Sequence, residues 1–321
     1  MKHTIFFSFV MILLLSGCEE AIKNSDQKVE DEVSQVTSDK KENTPVKANT
    51  NLTVNHQNDM LGFWVGYFRK PETENDHKNI YIDEGLAWFR ENKINISIDE
   101  FNGNEVTGHS VVAGNYRPFH GVYKELDSSY HFSVSEPGDD RYDGKFTFEI
   151  LKHDSVIKGT WRANNKIEIP ERVYELQKKV FSYNPEQMLE YSRRYGNWEK
   201  EKKTKIEDKE EREAFGDFYS EFSAATELIY KINASSTLLT KKDVENLKKG
   251  DLLIIRNTIY ARHGYSFKNR PLRVFFDAQS WYIPVHVDIK SDLTEIEKKN
   301  IELMLKYEKN AKEYYDSFGR G

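Results

Sequence analysis

The stretch INISIDEFNG, residues 94–103, decides the fold of the first half of this chain. Isoleucine alternates with a polar residue from Ile94 to Asp99, which is the period of two that a strand with one buried face requires. Asn102 and Gly103 follow, and this pair favours a two-residue hairpin turn because both residues readily adopt positive φ angles. The stretch therefore predicts an antiparallel strand that reverses direction at its end.

The same alternation continues after this turn, at intervals of about ten residues. No helical period separates the segments, and such a meander favours a closed barrel or a strongly curved sheet because closure removes exposed strand edges. We expect about eight strands in a β-barrel-like domain over residues 59–178, and an α+β fold for the whole chain. The further alternating segments are 106–112, 119–123, 130–134, 146–150 and 156–161.

A tryptophan lies near each end of this domain, within GFWVG at 62–66 and GTWR at 159–162. Both segments resemble the G-x-W features of lipocalin-like barrels. The resemblance implies that Trp64 closes the barrel floor and that Arg162 packs over its ring through a cation–π contact. Alternatively, Trp64 and Trp161 are ordinary core aromatics. The interior would accordingly hold a small apolar ligand or the protein's own side chains.

Two clusters of potential metal ligands occur in the β-rich domain. His109, His120 and His131 recur every eleven residues on predicted neighbouring strands, so they either share a metal site or simply face solvent. The turn at 137–144 gathers three aspartates, but it lacks the ligand order of an EF-hand and reads better as a plain hairpin turn. We therefore predict no metal and no cofactor.

Residues 179–236 read as a charged helical connector. Asn184 and Pro185 are expected to begin a helical stretch that reaches Tyr195. From 199 to 213, 13 of 15 residues are charged, which indicates a solvated helix or a mobile link. The next apolar residues have helical spacing and predict an amphipathic helix that docks onto the C-terminal domain or binds a partner: Phe215, Phe218, Phe222, Ala225 and Ile229.

Helix start and stop signals organise residues 237–309 into a small helical domain, followed by a tail at 310–321. Thr240 with Asp243 and Thr294 with Glu297 have the spacing of capping boxes at helix starts. Asp251 is expected to cap a further helix, which Gly264 ends.

The longest recognisable motif lies in this helical domain. Residues 260–264 read Tyr-Ala-Arg-His-Gly, and Tyr265, Phe267, Phe275, Phe276, Trp281, Tyr282 and Pro284 follow. This pattern resembles the YARHG domain of bacterial envelope proteins over roughly 70 residues. The resemblance implies an extracytoplasmic module, often C-terminal in lipoproteins, and it supplies no catalytic residues.

The motif residues are candidates for binding or for structure. Arg262 has the donor geometry to bind a carboxylate or phosphate, and His263 can act as an acid or base near neutral pH. Alternatively, Tyr260, Arg262 and Trp281 lock the helices together through hydrogen bonds and stacking. No nucleophile–base pair, metal motif or phosphate loop accompanies them, so we predict no catalytic residue. The candidate binding residues are Tyr260, Ala261, Arg262, His263, Gly264, Trp281 and Tyr282.

The N-terminus predicts export and lipid attachment. Residues 1–17 combine Lys2 with an apolar run too short to remain a membrane span, which is typical of a signal peptide. The run ends in Leu-Ser-Gly-Cys at 15–18, which resembles the lipobox of bacterial lipoproteins. The resemblance implies cleavage between Gly17 and Cys18 and acylation of Cys18, the only cysteine. An ordinary secretory signal is the alternative.

Residues 18–58 are polar and predict a disordered tether between the lipid and the folded domains. The 321-residue chain has 47 basic and 53 acidic residues, a net charge of -6, which argues against a nucleic-acid partner. We therefore expect an extracytoplasmic protein anchored to a membrane of the bacterial envelope, with the membrane and leaflet left open. Its expected role is non-enzymatic binding of an envelope protein or a small apolar ligand. The alternative is an extracytoplasmic hydrolase acting on cell-wall or peptide substrates.

Overall fold

A computed structural model describes residues 57–71 and 91–312 of the chain. The predicted signal peptide, Cys18 and the tether up to residue 56 lie outside the described residues. The expected α+β architecture is confirmed, because a closed antiparallel barrel precedes a small helical region. Within the described residues, no helix has the length and apolarity needed to cross a membrane.

Eight strands of the described chain form the barrel. Each strand pairs with the next in antiparallel register, and β1 also pairs with β8, so that Trp64 lies opposite Ile96 on one side and Lys178 on the other. The strands are β1 Gly62–Arg69, β2 Asn92–Asn102, β3 Glu105–Val112, β4 Asn115–Glu125, β5 Ser129–Ser135, β6 Gly144–Leu151, β7 Val156–Ala163 and β8 Glu171–Lys179. The alternation thus predicted the strand type, and of the two forms it left open, a closed barrel or a strongly curved sheet, the structure has the closed barrel.

The barrel interior is filled by its own side chains. Phe132 and Phe148 stack in the core with ring centroids 4.5 Å apart, and both are almost completely buried. Ile94, Ile96 and Ile98 are fully buried, as their spacing predicts. Of the two sequence-based alternatives, the structure therefore has the filled barrel, and a ligand cup does not extend through its centre.

The floor of the barrel contains Trp64, but the cation over its ring is Lys178. Trp64 is fully buried, and its Nε1–H donates to Met60 O over 2.9 Å in the short helix α1, Gln57–Met60. The Lys178 ammonium lies 5.0 Å from the Trp64 ring centroid and donates to Asp59 O and Leu61 O. The prediction for Arg162 is wrong because its side chain points outward, 75% exposed, and pairs with Glu171.

The connector differs from the sequence-based expectation. Residues 184–195 contain no helix, and the first part of the charged run lies in strand β9, Gly196–Lys205. Helix α2, Lys209–Phe215, holds the end of the run and joins β9 to strand β10, Phe218–Ala224, which pairs antiparallel with β9. Opposite charges pair across the two strands, as in the 3.0 Å contact between Lys202 and Glu221, and along α2 between Lys209 and Glu213.

The predicted amphipathic helix over 215–229 is therefore wrong, because the centre of that segment is strand β10. Phe215 and Phe218 are 70% and 50% exposed, so they do not form a buried helical stripe. Ile229 is buried in a short 3-10 helix, Glu227–Tyr230, and contributes to the core of the helical module.

Four further helices build the helical module. They are α3 Lys241–Val244, α4 Lys249–Arg262, α5 Arg270–Asp277 and α6 Glu295–Glu308. The capping boxes predicted at Thr240 and Thr294 are both present. Asp251 caps the start of α4 as expected, but it does so from the third position of the helix, where it accepts from the backbone N–H of Lys248 over 3.1 Å.

Buried polar contacts join the barrel to this module. Lys93 on β2 donates from Nζ to Gln279 O and Tyr282 O, over 2.7 and 3.1 Å, just beyond the C-terminal end of α5. The carbonyl groups and the helix dipole both favour a cation there. Lys93 N–H also donates to the Asp277 carboxylate over 2.8 Å, and Tyr67 donates to Asp277 O. Helix α5 is thereby held against the outer face of β2.

The β3–β4 turn makes a second junction with the module. Ala113 and Gly114 both have positive φ angles, as a tight hairpin turn requires. Gly114 N–H donates to Ser266 Oγ over 2.9 Å. A Cβ atom at Gly114 would lie 2.2 Å from Lys268 Cγ, so the close approach favours glycine.

Candidate functional site

The YARHG motif ends helix α4, and its glycine is required by the backbone. Gly264 has a φ angle of +69°, a conformation that L side chains rarely adopt. A Cβ atom there would lie 2.4 Å from Val285 Cγ2. Gly264 O accepts from the N–H groups of Val285 and His286, over 2.8 and 3.0 Å. This glycine therefore stops the helix and positions the following segment.

Arg262 connects the motif helix to two other segments of the chain. Its Nε donates to Gln187 O over 2.7 Å, and its Nη1 donates to Ser235 Oγ over 3.0 Å. The residue is only 3% exposed, and burial lowers the pKa of its guanidinium to about 10. A cation placed in this way holds the helix to its neighbours.

His263 and Glu297 form a buried pair between α4 and α6. The distance from His263 Nε2 to Glu297 Oε2 is 2.8 Å, and the two side chains are 6% and 0% exposed. Tyr183 stacks on the imidazole and donates to Glu297 Oε1 over 3.0 Å. Burial alone raises the pKa of Glu297, but the hydrogen bonds from His263 and the Thr294 N–H outweigh it and hold the pKa below its ordinary value.

The remaining motif residues also pack in or against the core of the helical module. Ala261 is buried, and Tyr282 is buried with its hydroxyl donating to Tyr265 O over 2.7 Å. Tyr260 packs edge-on against Tyr265. Trp281 borders a cleft of about 420 Å³ with Arg262, and its buried Nε1 has no hydrogen-bond partner among the described residues. These residues thus help to build the module core, and Trp281 Nε1 is the one buried donor among the motif residues that has no partner in the described chain.

The three histidines that were candidates for a shared metal site contact different residues. His109 lies 2.7 Å from Asp99 and stacks on Tyr116, while His131 lies 2.9 Å from Ser129. His120 is exposed on β4. Across residues 57–71 and 91–312, no group of three potential ligands is arranged to hold a metal ion.

Two aspartates of the 137–144 turn, Asp140 and Asp143, pair with the guanidinium of Arg117. Arg117 Nε lies 3.0 Å from Asp143 Oδ1, and its Nη2 lies 3.3 Å from Asp140 Oδ1. The other Asp143 oxygen accepts from the N–H groups of Gly138 and Asp140. The loop is therefore a turn that carries an ion pair at one end of the barrel.

A cavity of about 510 Å³ lies at this end, which we call the mouth. Barrel residues form most of its wall, and Arg273 of helix α5 contributes from the YARHG side. The rings of Phe68, Phe146 and Trp161 lie together on the apolar wall of the cavity, and the centroids of Phe68 and Trp161 are 5.5 Å apart. The charged residues that line it are Arg117, Glu136, Arg141, Glu168, Arg172 and Arg273.

Glu136 is a buried carboxyl group in the mouth. It accepts from Gly144 N–H over 2.7 Å, from Trp161 Nε1 over 3.1 Å and from Ser110 Oγ over 3.3 Å. Burial raises the pKa of Glu136 to about 7, although the hydrogen bonds from Trp161 and Gly144 act in the opposite direction. The side chain joins β5 and β6 where the barrel opens.

Two arginines of the mouth are placed by different parts of the chain. Arg172 on β8 donates to Phe68 O over 3.1 Å, and its guanidinium lies 5.1 Å from the Phe68 ring centroid. Arg273 Nη1 donates to Lys268 O over 3.0 Å, whereas the buried Arg273 Nε has no hydrogen-bond partner among the described residues. Asn92 Oδ1, in the same wall, is also buried without one within the described chain.

Sequence reasoning missed the mouth residues because no motif marks them. One signal was present at β8, where the inward positions include Tyr174 and Leu176. Arg172 precedes Tyr174 by two residues, so its side chain is on the same inward face of β8. A charged side chain on that face indicates a position near the end of the strand, where the barrel opens. Helix α5 carries no comparable signal, because the packing between two domains alone brings Arg273 to the cavity.

The helical module matches a known family. A comparison with protein-family models matches residues 226–309 to the YARHG domain. No curated protein and no solved structure matches the chain. The predicted start at 237 is wrong, because residues from Thr226 onward belong to the module: Thr226 Oγ1 donates to Asp251 over 2.9 Å. Residues 226–309 are therefore a YARHG domain, a module typical of extracytoplasmic bacterial proteins.

Proposed function

We propose that the protein is a non-enzymatic binding protein of the bacterial envelope and that its ligand occupies the mouth cavity. The observation that carries this proposal is the cavity itself, with walls from the barrel and from YARHG helix α5. Its volume of about 510 Å³ lies within the range of small-molecule sites, which are concave and combine apolar walls with a few polar groups. A small ligand fits this shape better than a protein partner does.

The sequence-based alternative was a hydrolase acting on cell-wall or peptide substrates. That activity requires His263 or several carboxylates to converge in an open cleft. The His263 side chain is only 6% exposed and is bound to Glu297, so it is poorly placed to meet a substrate. Arg262 likewise uses its donors on Gln187 and Ser235. These contacts support binding over hydrolysis.

We also propose that acylated Cys18 anchors the protein to an envelope membrane. The supporting observations are the lipobox-like residues 15–18 and the YARHG domain. Cys18→Ser should lose incorporation of an alkyne-labelled palmitate analogue and leave the membrane fraction, because no thiol remains to carry the lipid. Ser25→Ala, in the predicted tether, is the control. A Cys18→Ser protein that stays in the membrane fraction would contradict the anchor.

The mouth can be tested by filling it. Val112 borders the cavity, so Val112→Trp should block it, whereas Val173→Trp places the same ring on the outward face of β8. Four ten-carbon probes provide one apolar body with different head groups: decanoate, decyl phosphate, decanol and decyltrimethylammonium. Calorimetry should detect at least one of them on the unmodified protein and on Val173→Trp, with at least tenfold weaker binding to Val112→Trp.

Two results would contradict the proposal that the ligand binds in the mouth. A folded protein that binds none of the four probes, or that binds them equally after Val112→Trp, would overturn the mouth as the binding site. Circular dichroism and thermal melting of both tryptophan variants establish that each keeps its fold.

A further inference from the structure

We propose that the mouth selects an anionic amphiphile, whose carboxylate or phosphate group is held by Arg273 beside Arg172 while its apolar part lies on Phe68, Phe146 and Trp161. This inference rests on the proposed function, because it names the ligand class of the same cavity. It is carried by the balance of charge, by an unsatisfied donor and by the apolar wall.

The balance of charge in the cavity favours an anion. Four arginines and two glutamates line it. Arg117 is neutralised by Asp140 and Asp143, but those aspartates lie outside the lining. Glu136 accepts three hydrogen bonds from protein donors, so little of its capacity remains for a cationic ligand. Burial also keeps Glu136 partly protonated near neutral pH, which reduces its repulsion of an anion.

Arg273 supplies the unsatisfied donor. Its Nε is buried and lacks a hydrogen-bond partner among the described residues, while Nη1 is bound to Lys268 O. Buried donors almost always have partners, so an orphaned guanidinium nitrogen beside a cavity calls for an acceptor. A small adjustment of this side chain presents its planar fork, which matches the two oxygens of a carboxylate or phosphate.

A second arginine lies close enough for its charge to matter. Burial lowers the pKa of Arg172, and the charge of Arg273 lowers it further. Two like charges of low hydration repel each other, and an anion between them converts that repulsion into two attractions. Because β8 contributes one guanidinium and α5 the other, the bound anion also bridges the barrel and the YARHG domain.

The apolar wall of the cavity determines the rest of the ligand. Phe146 and Trp161 are almost completely buried, and the Phe68 ring is covered on one side by the Arg172 guanidinium. The packed interior below the rings excludes a long chain from the barrel centre. The apolar part of the ligand therefore lies across the mouth, with its charged end towards α5.

The ten-carbon probes test the ligand class directly. Decanoate and decyl phosphate should bind the unmodified protein at least tenfold more tightly than decanol, and decyltrimethylammonium should bind more weakly than decanol. Arg273→Met should weaken both anions at least tenfold and change decanol less than twofold. Arg273→Lys should restore part of the loss, because it returns the charge without the fork. Arg162→Met removes an exposed arginine outside the cavity and is the matched control.

The outcomes separate the two proposals. If decanol binds as tightly as decanoate and Val112→Trp abolishes both, the anion inference is overturned while the mouth remains the binding site. If Val112→Trp affects no probe, the site itself fails. The ranking of head groups on the unmodified protein decides the inference even if Arg273→Met does not fold. A preference for decyl phosphate over decanoate, or the reverse, identifies which anion the fork accepts.

Discussion

The core of the YARHG domain and the mouth cavity treat buried charge in opposite ways. In the YARHG domain, Arg262 and His263 lie in the core and each meets a protein partner within 3.0 Å. At the mouth, Arg273 of helix α5 is partly exposed, and its buried Nε has no hydrogen-bond partner among the described residues. The motif that names the domain therefore maintains its fold, whereas the best candidate for binding lies among residues that belong to no motif.

The largest expected effect tests the buried pair of the YARHG domain. Glu297→Ala removes the partner of His263, Tyr183 and the Thr294 N–H, and breaking a buried ionic contact of this kind costs about 3–5 kcal/mol. Urea unfolding should show that loss. Glu302→Ala, at an exposed position of the same helix, should leave the free energy of unfolding nearly unchanged. Equal effects of the two substitutions would show that Glu297 does not hold the helices together.

The pH dependence of stability should differ in sign between Glu136 at the mouth and Glu297 in the core of the YARHG domain. The pKa of Glu136 rises from 4.5 to about 7 on folding, so its stabilisation is complete below the ordinary pKa and is lost as pH rises through 7. The pKa of Glu297 falls, so its stabilisation is present above 4.5 and is lost as pH falls. The Glu136 contribution amounts to roughly 3 kcal/mol between pH 4 and pH 9.

Denaturant unfolding between pH 3 and pH 9 measures both contributions. Glu136→Gln should flatten the decline of stability above pH 5, and Glu297→Gln should flatten the decline below pH 4.5. Burial also raises the pKa of Asp277 to about 7, so Glu136→Gln is expected to reduce the decline rather than abolish it. A Glu136→Gln profile parallel to that of the unmodified protein would contradict the burial of this carboxyl group.

The sequence predicted the fold where local patterns agree with long-range packing. Alternation in the barrel strands and the capping boxes of α3 and α6 each specify one structure, and both predictions are confirmed. The charged run at 199–213 is different, because interleaved charges pair equally well along a helix or across two strands. Its partner strand, β10, decides between them, and that pairing is not visible in the run itself.

The candidate site was less accessible to sequence reasoning. The position of Trp64 at the barrel floor followed from a short motif, but Lys178 rather than Arg162 covers its ring. Arg162 pairs with Glu171 at the start of β8, whereas Lys178 lies near its end opposite Trp64, and only the strand register shows which cation reaches the ring. Arg273 could not be assigned to the mouth because the docking of α5 on β2 brings it there.

Two arginine substitutions compare the core of the YARHG domain with the mouth cavity directly. Arg262→Met leaves Gln187 O and Ser235 Oγ without their donor and should cost about 2 kcal/mol of stability. Arg273→Met loses the bond to Lys268 O and the attraction of Asp277, but it also removes a charge that repels Arg172, so it should cost about 1 kcal/mol. Thermal and urea unfolding of the two variants under one buffer give the ranking. A larger loss for Arg273→Met would identify it as a structural residue and weaken its role in binding.

The smallest effects distinguish the two cations that were candidates for the barrel floor. Lys178→Met removes the contact with the Trp64 ring and the bonds to Asp59 O and Leu61 O, which should cost about 1 kcal/mol. Arg162→Ala removes only an exposed contact with Glu171, and such pairs contribute little because water screens them. Tryptophan fluorescence should shift for Lys178→Met and remain unchanged for Arg162→Ala. The reverse result would contradict the contact between Lys178 and the Trp64 ring.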